Sequence, residues 1–150
     1  MRAATVLLGV MLMLGTTGGP ANASAVIATF NPAHGEFPEG IASDIDGNLY
    51  VSFAVTGEIR RIGRDGSQST YHRFDPGTAG LGVLGLAADR SGTIYAAVSS
   101  NAPTAHGVWA ITGEGVATRL AGSEAIAFPN GLARGPSGEQ IDVKAQMASL

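Results

Sequence analysis

Hydrophobic and polar residues alternate along several short stretches of the chain. In "NLYVSF", residues 48–53, the alternation places Leu49, Val51 and Phe53 on one face of an extended strand. A second stretch, "TIYAAV", begins 45 residues later and alternates in the same way. Its corresponding face carries Ile94, Ala96 and Val98. The period of two predicts half-buried β-strands rather than helices.

Glycine-containing pairs lie between the predicted strands. Asp46-Gly47 and Ser91-Gly92 indicate two-residue turns that separate the first strand of each unit from the second. Further strands are predicted as "EIRRI" and "STYHRF" in the first unit and as "GVWAI" and "VATRLA" in the second, with Asp65-Gly66 and Glu114-Gly115 near their turns. Each unit therefore contains four short strands.

The same phrase occurs three times: "EGIASDIDGNLYVSFA", "LGLAADRSGTIYAAVS" and "NGLARGPSGEQIDVKA". Gly40, Gly85 and Gly131 are 45 and 46 residues apart, and the turn glycines Gly47, Gly92 and Gly138 keep these intervals. Four strands in a repeat of this length are typical of a β-propeller blade. We therefore predict an all-β fold, an incomplete propeller of about two and a half blades, with units at residues 37–82, 83–127 and 128–150.

Residues 1–25 have the organisation of a cleavable signal peptide. Arg2 precedes an apolar stretch, residues 3–15, and small residues follow with sites for cleavage after Ala23 or Ala25. The apolar stretch is shorter than the ~20 residues that span a bilayer. We expect an exported protein, secreted or periplasmic, with no membrane segment after cleavage.

Composition excludes several classes of function. The formal net charge is -3 and there is no basic run, so nucleic acid is not expected as a partner. The chain has no cysteine, which excludes disulfides and thiol nucleophiles. It contains neither a G-x-S-x-G nucleophile elbow nor a nucleotide-binding glycine fingerprint.

The phrases "FPEGIASDIDGNLYVSF", "GVLGLAADRSGTIYAAV", "HGVWAIT" and "FPNGLARGPSGE" resemble the blades of the SMP-30/gluconolactonase/LRE-like family. This family consists of six-bladed propellers related in shape to NHL repeats. The resemblance covers residues 30–139. It implies an enzyme that hydrolyses a sugar lactone or similar ester, with a small-molecule substrate and one divalent metal at the mouth of the central channel.

The resemblance also implies metal ligands. Glu39, in "PEG", stands where the family has a first-blade Glu, and Asn130, in "PNGLA", matches an Asn-Gly-Leu phrase that supplies a ligand. Oxygen ligands suit Ca²⁺ or Mg²⁺, and Zn²⁺ is a further candidate. Unit two has Leu84 at this position, which cannot bind metal, and the blade that would bring a ligand Asp lies beyond this chain. Alternatively, Glu39 is a solvent-facing loop acid and Asn130 caps a turn.

Other polar motifs favour structural roles. "DIDGN" resembles a calcium loop, but Leu49 and Val55 occupy the positions where an EF-hand needs Gly and Glu, so a turn is expected. His34, His72 and His106 have no ligand spacing and are expected in loops or on strand surfaces. His106 lies in a loop four residues longer than its counterpart. Trp109 is expected to pack within a blade.

A closed propeller of six such units needs about 270 residues. We therefore expect either a product truncated by a frameshift or early stop, or self-association that supplies the missing blades. Three hypotheses for function remain open: part of a metal-dependent hydrolase, a non-catalytic NHL-like propeller that binds a ligand or protein through its loops, and an inactive truncated product.

Overall fold

The computed structural model describes residues 26–78, 80–134 and 141–145, and these form β-strands joined by loops and two single-turn 3₁₀ helices. The predicted signal peptide and Gly138 lie outside the described residues. None of the described segments is a helix long and apolar enough to cross a membrane. The strands are β1 (Pro38–Ser43), β2 (Leu49–Phe53), β3 (Glu58–Ile62), β4 (Gln68–Arg73), β5 (Val83–Ala88), β6 (Ile94–Val98), β7 (Gly107–Ile111), β8 (Ala117–Arg119), β9 (Pro129–Arg134) and β10 (Ile141–Ala145). The 3₁₀ helices are Pro32–His34 and Ser123–Ala125.

The strands form three antiparallel sheets in chain order, which we call blades. Blade 1 has the order β1-β2-β3-β4, blade 2 has the order β5-β6-β7-β8, and blade 3 pairs β9 with β10. The first strand of each blade is its inner strand, since β1 contacts β5 and β5 contacts β9. Four strands per unit were predicted, and each strand predicted by its sequence is present with ends displaced by at most two residues.

The prediction of two-residue turns was wrong. Ser43 pairs with Leu49 and Ala88 pairs with Ile94, so five residues lie between β1 and β2 and between β5 and β6. The loops at residues 63–67 and 112–116 have the same length. In all four, the amide of the fourth residue donates to the carbonyl of the first, and the fourth residue is a glycine with a φ between 80° and 84°. Glycine adopts this left-handed conformation without a steric penalty. The glycines therefore located the turns correctly, although each loop has five residues instead of the predicted two.

The main hydrophobic core lies between blades 1 and 2. We call the face of a blade that is turned toward the next blade its trailing face, and the opposite one its leading face. The trailing face of blade 1 contributes Tyr50, Ile59 and Phe74, and the leading face of blade 2 contributes Val83, Leu86, Ile94, Ala96, Val98 and Ile111. The face predicted from "TIYAAV" is therefore the one that packs against blade 1. At about 25 cal/mol per Å² of apolar surface, this burial is the main stabilising contribution.

The equivalent face of blade 1 packs against the N-terminal segment instead. Val51 and Phe53 are buried there beneath Ala28 and Phe30. The rings of Phe30 and Phe53 meet edge to face with centroids 5.0 Å apart. The same repeat position thus buries its side chain in both blades, but against different parts of the chain.

The repeated glycines mark the closest approach between inner strands. A Cβ at Gly40 would collide with the carbonyl oxygen of Leu84, and a Cβ at Gly85 would collide with that of Asn130. Ser52 reinforces the first contact, because its Oγ accepts from the Gly40 amide at 2.8 Å and donates to the Leu84 carbonyl at 2.7 Å. The period found in the sequence therefore reflects how tightly neighbouring inner strands pack.

We expect Gly85→Ala to lower the free energy of unfolding by about 1–3 kcal/mol, because the added methyl group has no space against Asn130. Gly113→Ala is the matched control, since a Cβ there meets nothing within 4 Å. Its effect should stay within about 0.5 kcal/mol. Urea denaturation followed by circular dichroism measures both. Equal midpoints for the two variants would contradict the packing role of Gly85.

Candidate functional site

The two ends of the blades differ in the length of their connections. The four five-residue loops all lie at one end, because they join β1 to β2 and β3 to β4 and their counterparts in blade 2. The opposite end carries the connections at residues 54–57, 74–82, 99–106 and 120–128. We call it the loop end. Three of these four connections have eight or nine residues. Functional residues concentrate on loops that a rigid scaffold positions, so the loop end is the candidate site.

The structure places both predicted metal ligands at the loop end. Glu39 lies near the start of β1 and is exposed, and Asn130 lies near the start of β9 and is half-buried. Leu84 holds the same repeat position on β5, between them in the order of the inner strands, and is only 4% exposed. The two oxygen-bearing side chains are therefore on non-adjacent inner strands, with an apolar residue at the intervening position.

The donor types at this end suit a hard divalent cation, but their number is small. Ca²⁺ takes six to eight oxygen ligands, and Mg²⁺ six with several of them water. Among the described residues, no group of three or more His, Asp and Glu side chains is placed to hold a metal ion. Glu39 and Asn130 can therefore supply part of a coordination sphere and not the whole of it.

The "DIDGN" loop is a turn, as predicted, and its own side chains hold it. The Asp44 carboxylate accepts hydrogen bonds from the Asn48 amide at 2.9 Å, the Asn48 side chain at 2.7 Å and the Tyr50 hydroxyl at 3.0 Å. Blade 2 repeats the arrangement. There Asp89 accepts from Ser91, Thr93 and Tyr95. These carboxylates fasten the five-residue loops to the following strands.

The hydrogen bonds in both loops stabilise the ionised carboxylates. Partial burial raises the pKa of Asp89, but the bonds donated by Ser91 and Thr93 outweigh this effect and hold the pKa below its ordinary value of 3.8. At Asp44, burial likewise raises the pKa, and the hydrogen bonds from Asn48 and Tyr50 outweigh it and hold the pKa below its ordinary value. Both aspartates are thus ionised at neutral pH.

His106 joins two parts of the loop end, a role that its sequence position did not reveal. Its Nδ1 lies 3.1 Å from the Ser100 carbonyl oxygen and its Nε2 lies 2.7 Å from the Ile126 carbonyl oxygen. Both ring nitrogens therefore face backbone carbonyl oxygens, and a neutral ring donates a hydrogen bond to one of them. His34 lies in an exposed 3₁₀ turn and His72 lies on β4, which agrees with the prediction that these histidines are in loops or on strand surfaces.

A shallow groove of about 550 Å³ lies beside His106 and is lined by Ser100, Asn101, Pro103, His106, Arg119, Glu124 and Ala127. The guanidinium of Arg119 is already hydrogen-bonded, because it donates to the carbonyl oxygens of Pro103 and His106. The long loop at residues 99–106 is thereby tied to β8. The groove carries hydrogen-bonded loop residues rather than a convergent set of reactive groups.

Trp109 packs between blades 1 and 2. Its ring lies 5.2 Å from that of Phe74, and its Nε1 donates to the Ala105 carbonyl oxygen at 2.8 Å. The predicted packing role is confirmed. The sequence did not indicate that Phe74 of blade 1 is the partner.

Sequence reasoning missed a buried charge cluster on blade 1. Glu58 is 5% exposed and contacts Arg60 at 3.0 Å and Arg73 at 2.8 Å, and Thr70 donates to it at 3.1 Å. Burial raises the pKa of Glu58, but the bond from Arg60 and its other partners hold the pKa below the ordinary value. Opposite charges at alternate positions of one strand, as in Glu58 and Arg60, are a signal that could have revealed this cluster.

Arg60 also anchors the N-terminal segment. Its guanidinium contacts Glu36 at 2.8 Å and lies 4.7 Å from the centre of the Phe53 ring. Glu36 in turn accepts from the Asn31 amide at 2.7 Å. The cluster is therefore fully paired, and its evident role is to hold this segment against blade 1.

Solved structures contain the same arrangement of blades. The chain matches virginiamycin B lyase from Staphylococcus aureus with a TM-score of 0.53 and 23% identity, over 72% of this chain and 34% of that one. It also matches a protein provisionally assigned as a gluconolactonase, with a TM-score of 0.51, 23% identity and coverage of 72% and 35%. The chain has the β-propeller fold.

The match to this propeller fold confirms, at the level of the fold, the predicted resemblance to gluconolactonase-like proteins. A streptogramin B lyase matches with a TM-score of 0.53 and 21% identity. The chain spans about a third of the length of these structures. No protein-family model and no curated protein matches the sequence.

Acid should weaken the loop fastened by Asp89. Because folding lowers the pKa of this carboxyl, its stabilising contribution is complete above the unfolded-state pKa and is lost as the pH falls below 3.8 and through the lower folded value. We expect Asp89→Asn to cost about 1–2 kcal/mol at neutral pH. The difference from the unmodified protein should shrink below that pH.

The measurement is urea denaturation across the acid range. Glu114→Gln, at an exposed acid in the loop between β7 and β8, is the control and should leave stability unchanged. A deficit of Asp89→Asn that stays constant down to low pH would contradict the assignment.

Proposed function

We propose that this chain is part of an exported gluconolactonase-like propeller that binds a divalent cation at the loop end and hydrolyses a sugar lactone or similar ester. The observation that carries the proposal is the position of Glu39 and Asn130, two oxygen-bearing residues at the same repeat position of the inner strands. The likeness to a provisionally assigned gluconolactonase supports it. Because the chain covers about a third of that structure, other blades would supply further ligands.

In the proposed site, Glu39 contributes a carboxylate and Asn130 an amide oxygen. The exposure of Glu39 leaves its carboxylate accessible to a cation from solvent. When bound, the cation supplies Lewis acidity that polarises the carbonyl of an ester or lactone. Leu84, at the position between them, is buried and offers no ligand atom.

A non-catalytic propeller that binds its ligand through the loops is the second candidate, and Leu84 favours it. A buried leucine at a repeat position that would otherwise carry a ligand leaves Glu39 and Asn130 as the oxygen-bearing residues at this position of the three described inner strands. The loop-end groove beside His106 offers such a propeller a surface lined by polar loop residues.

Metal-dependent stabilisation distinguishes the two candidates. If Glu39 and Asn130 bind a cation in the folded state, Ca²⁺, Mg²⁺ or Zn²⁺ should raise the melting temperature, by the equivalent of about 2.7 kcal/mol at one hundred times the dissociation constant. Glu39→Gln and Asn130→Ala should each lower the apparent affinity for the metal at least tenfold, so that a given metal concentration raises the melting temperature less. Differential scanning fluorimetry at graded metal concentrations measures it.

Glu114→Gln serves as the control, because it removes an exposed acid in a loop at the opposite end of the blade. Retention of the full metal response in both ligand variants would refute the cation site. A metal response that depends on both residues, combined with hydrolysis of a chromogenic lactone or ester, would establish the enzyme. No metal response in a chain that includes the other blades would leave the ligand-binding propeller as the better account.

A further inference from the structure

The four five-residue loops differ in the residue that precedes their conserved-position glycine, the fourth of each loop. The pairs are Asp46-Gly47, Asp65-Gly66, Ser91-Gly92 and Glu114-Gly115. An aspartate followed by glycine can close a cyclic imide with the backbone, because glycine has no side chain to obstruct the ring. Serine has no carboxyl group, and glutamate would have to close a larger ring. Two of the four loops therefore carry this chemistry.

The reaction converts aspartate to isoaspartate with water as its only reagent. The glycine amide nitrogen attacks Cγ of the protonated carboxyl group, a C–N bond forms, and one carboxyl oxygen leaves as water. A water molecule then opens the resulting succinimide. When it cleaves the bond from the nitrogen to the original peptide carbonyl carbon, the chain runs on through Cγ and the α-carboxyl group is freed. The mass is unchanged, and the backbone gains one methylene group.

The Asp65 carboxylate is engaged by its own loop. Its Oδ1 accepts hydrogen bonds from the Ser67 hydroxyl at 2.6 Å and from the Ser67 amide at 3.0 Å. These bonds hold the pKa of Asp65 below its ordinary value of 3.8. The amide of Gly66 donates to the Gly63 carbonyl oxygen at 2.9 Å. Ring closure at Asp65 must therefore break these hydrogen bonds and protonate a stabilised carboxylate.

The Asp46 side chain is not held in this way. It is exposed, and within the part of the chain that the structure describes no hydrogen bond or ion pair reaches its carboxylate oxygens. The loop is fastened by Asp44 instead, whose carboxylate accepts from Asn48 and Tyr50. The amide of Gly47 donates to the Asp44 carbonyl oxygen at 3.2 Å, a longer bond than the one at Gly66. Both reacting groups are therefore less restrained here than at Asp65-Gly66.

Asn130-Gly131 forms the same imide in unfolded chains, with release of ammonia, but here it lies within a strand. Gly131 pairs with Lys144 across β9 and β10. The ladder restrains the backbone that ring closure must turn. Its product is also distinguishable, because loss of the amide changes the mass of the peptide and isomerisation of an aspartate does not.

We propose that Asp46-Gly47 is a site of spontaneous isoaspartate formation in the folded protein, and that Ser67 protects Asp65-Gly66 from the same reaction. The modification changes blade 1. The added methylene group lies between Asp44 and Asn48, so the hydrogen bonds from Asn48 and Tyr50 to the Asp44 carboxylate lose their spacing. The inference concerns the end of the blades opposite the proposed cation site.

The test is to age the purified, folded chain at mildly acidic pH and to digest it with a protease. Chromatography separates the isomeric peptides, and methylation by an isoaspartate-specific methyltransferase identifies them. We expect isoaspartate to accumulate at position 46 about tenfold faster than at position 65, because each hydrogen bond that must break adds to the barrier. In urea, where the loops no longer hold either side chain, the two rates should become similar.

Two variants test the structural cause. Asp46→Ser should abolish the modification in its loop, and the fold should accept it because blade 2 has Ser91 at this position. Ser67→Ala removes the hydroxyl donor and should raise the rate at position 65 about threefold or more. Ser69→Ala, at an exposed serine on β4, is the matched control and should leave that rate unchanged. Circular dichroism establishes that each variant is folded.

Equal rates at the two positions in the folded chain, or no isoaspartate at position 46, would overturn the proposal. A preference for position 46 that persists in urea would do the same, because the neighbouring sequence and not the fold would then set it. An unchanged rate at position 65 in Ser67→Ala would refute protection by Ser67. These outcomes are independent of metal binding and of hydrolysis.

Discussion

The close approach of neighbouring inner strands is the contact on which the rest of the structure depends. Gly40 and Gly85 bring each inner strand so near to the next that only a residue without a side chain fits. With this spacing, the apolar trailing face of blade 1 packs tightly against the leading face of blade 2. This contact positions both the cores and the loop end. The repeat period of the glycines therefore reflects a packing requirement.

The two leading faces place polar groups differently at equivalent positions, because different parts of the chain cover them. Blade 2 has Trp109 on β7, where it packs against Phe74. Blade 1 has Arg60 at the equivalent position, paired with Glu58 and Glu36 beneath the N-terminal segment. The leading face that meets another blade is thus apolar on its three inner strands, with Arg119 on β8 over the Trp109 ring. The one that meets an extended segment has a paired charge cluster on its third and fourth strands.

Much of the fold followed from local patterns. Alternation located the strands, and glycine pairs located the turns, because both depend on backbone conformation and on the two faces of a strand. The turn length was misjudged because Asp-Gly is compatible with both a two-residue hairpin and the observed five-residue loop. Asp44 and Asp89 favour the longer one, since their carboxylates need that length to reach Tyr50 and Tyr95.

The sequence by itself determined the blade repeat, the strand faces and the chemical types at the candidate site, Glu39, Leu84 and Asn130. Only the tertiary structure decided which blade buries which face, that His106 lies between two carbonyl oxygens, and that Ile41 is exposed while Leu86 is not. The reason is physical. Periodicity and turn chemistry act within a few residues, whereas burial and the pairing of charged or polar groups depend on neighbours that are distant in the chain and are brought together by packing.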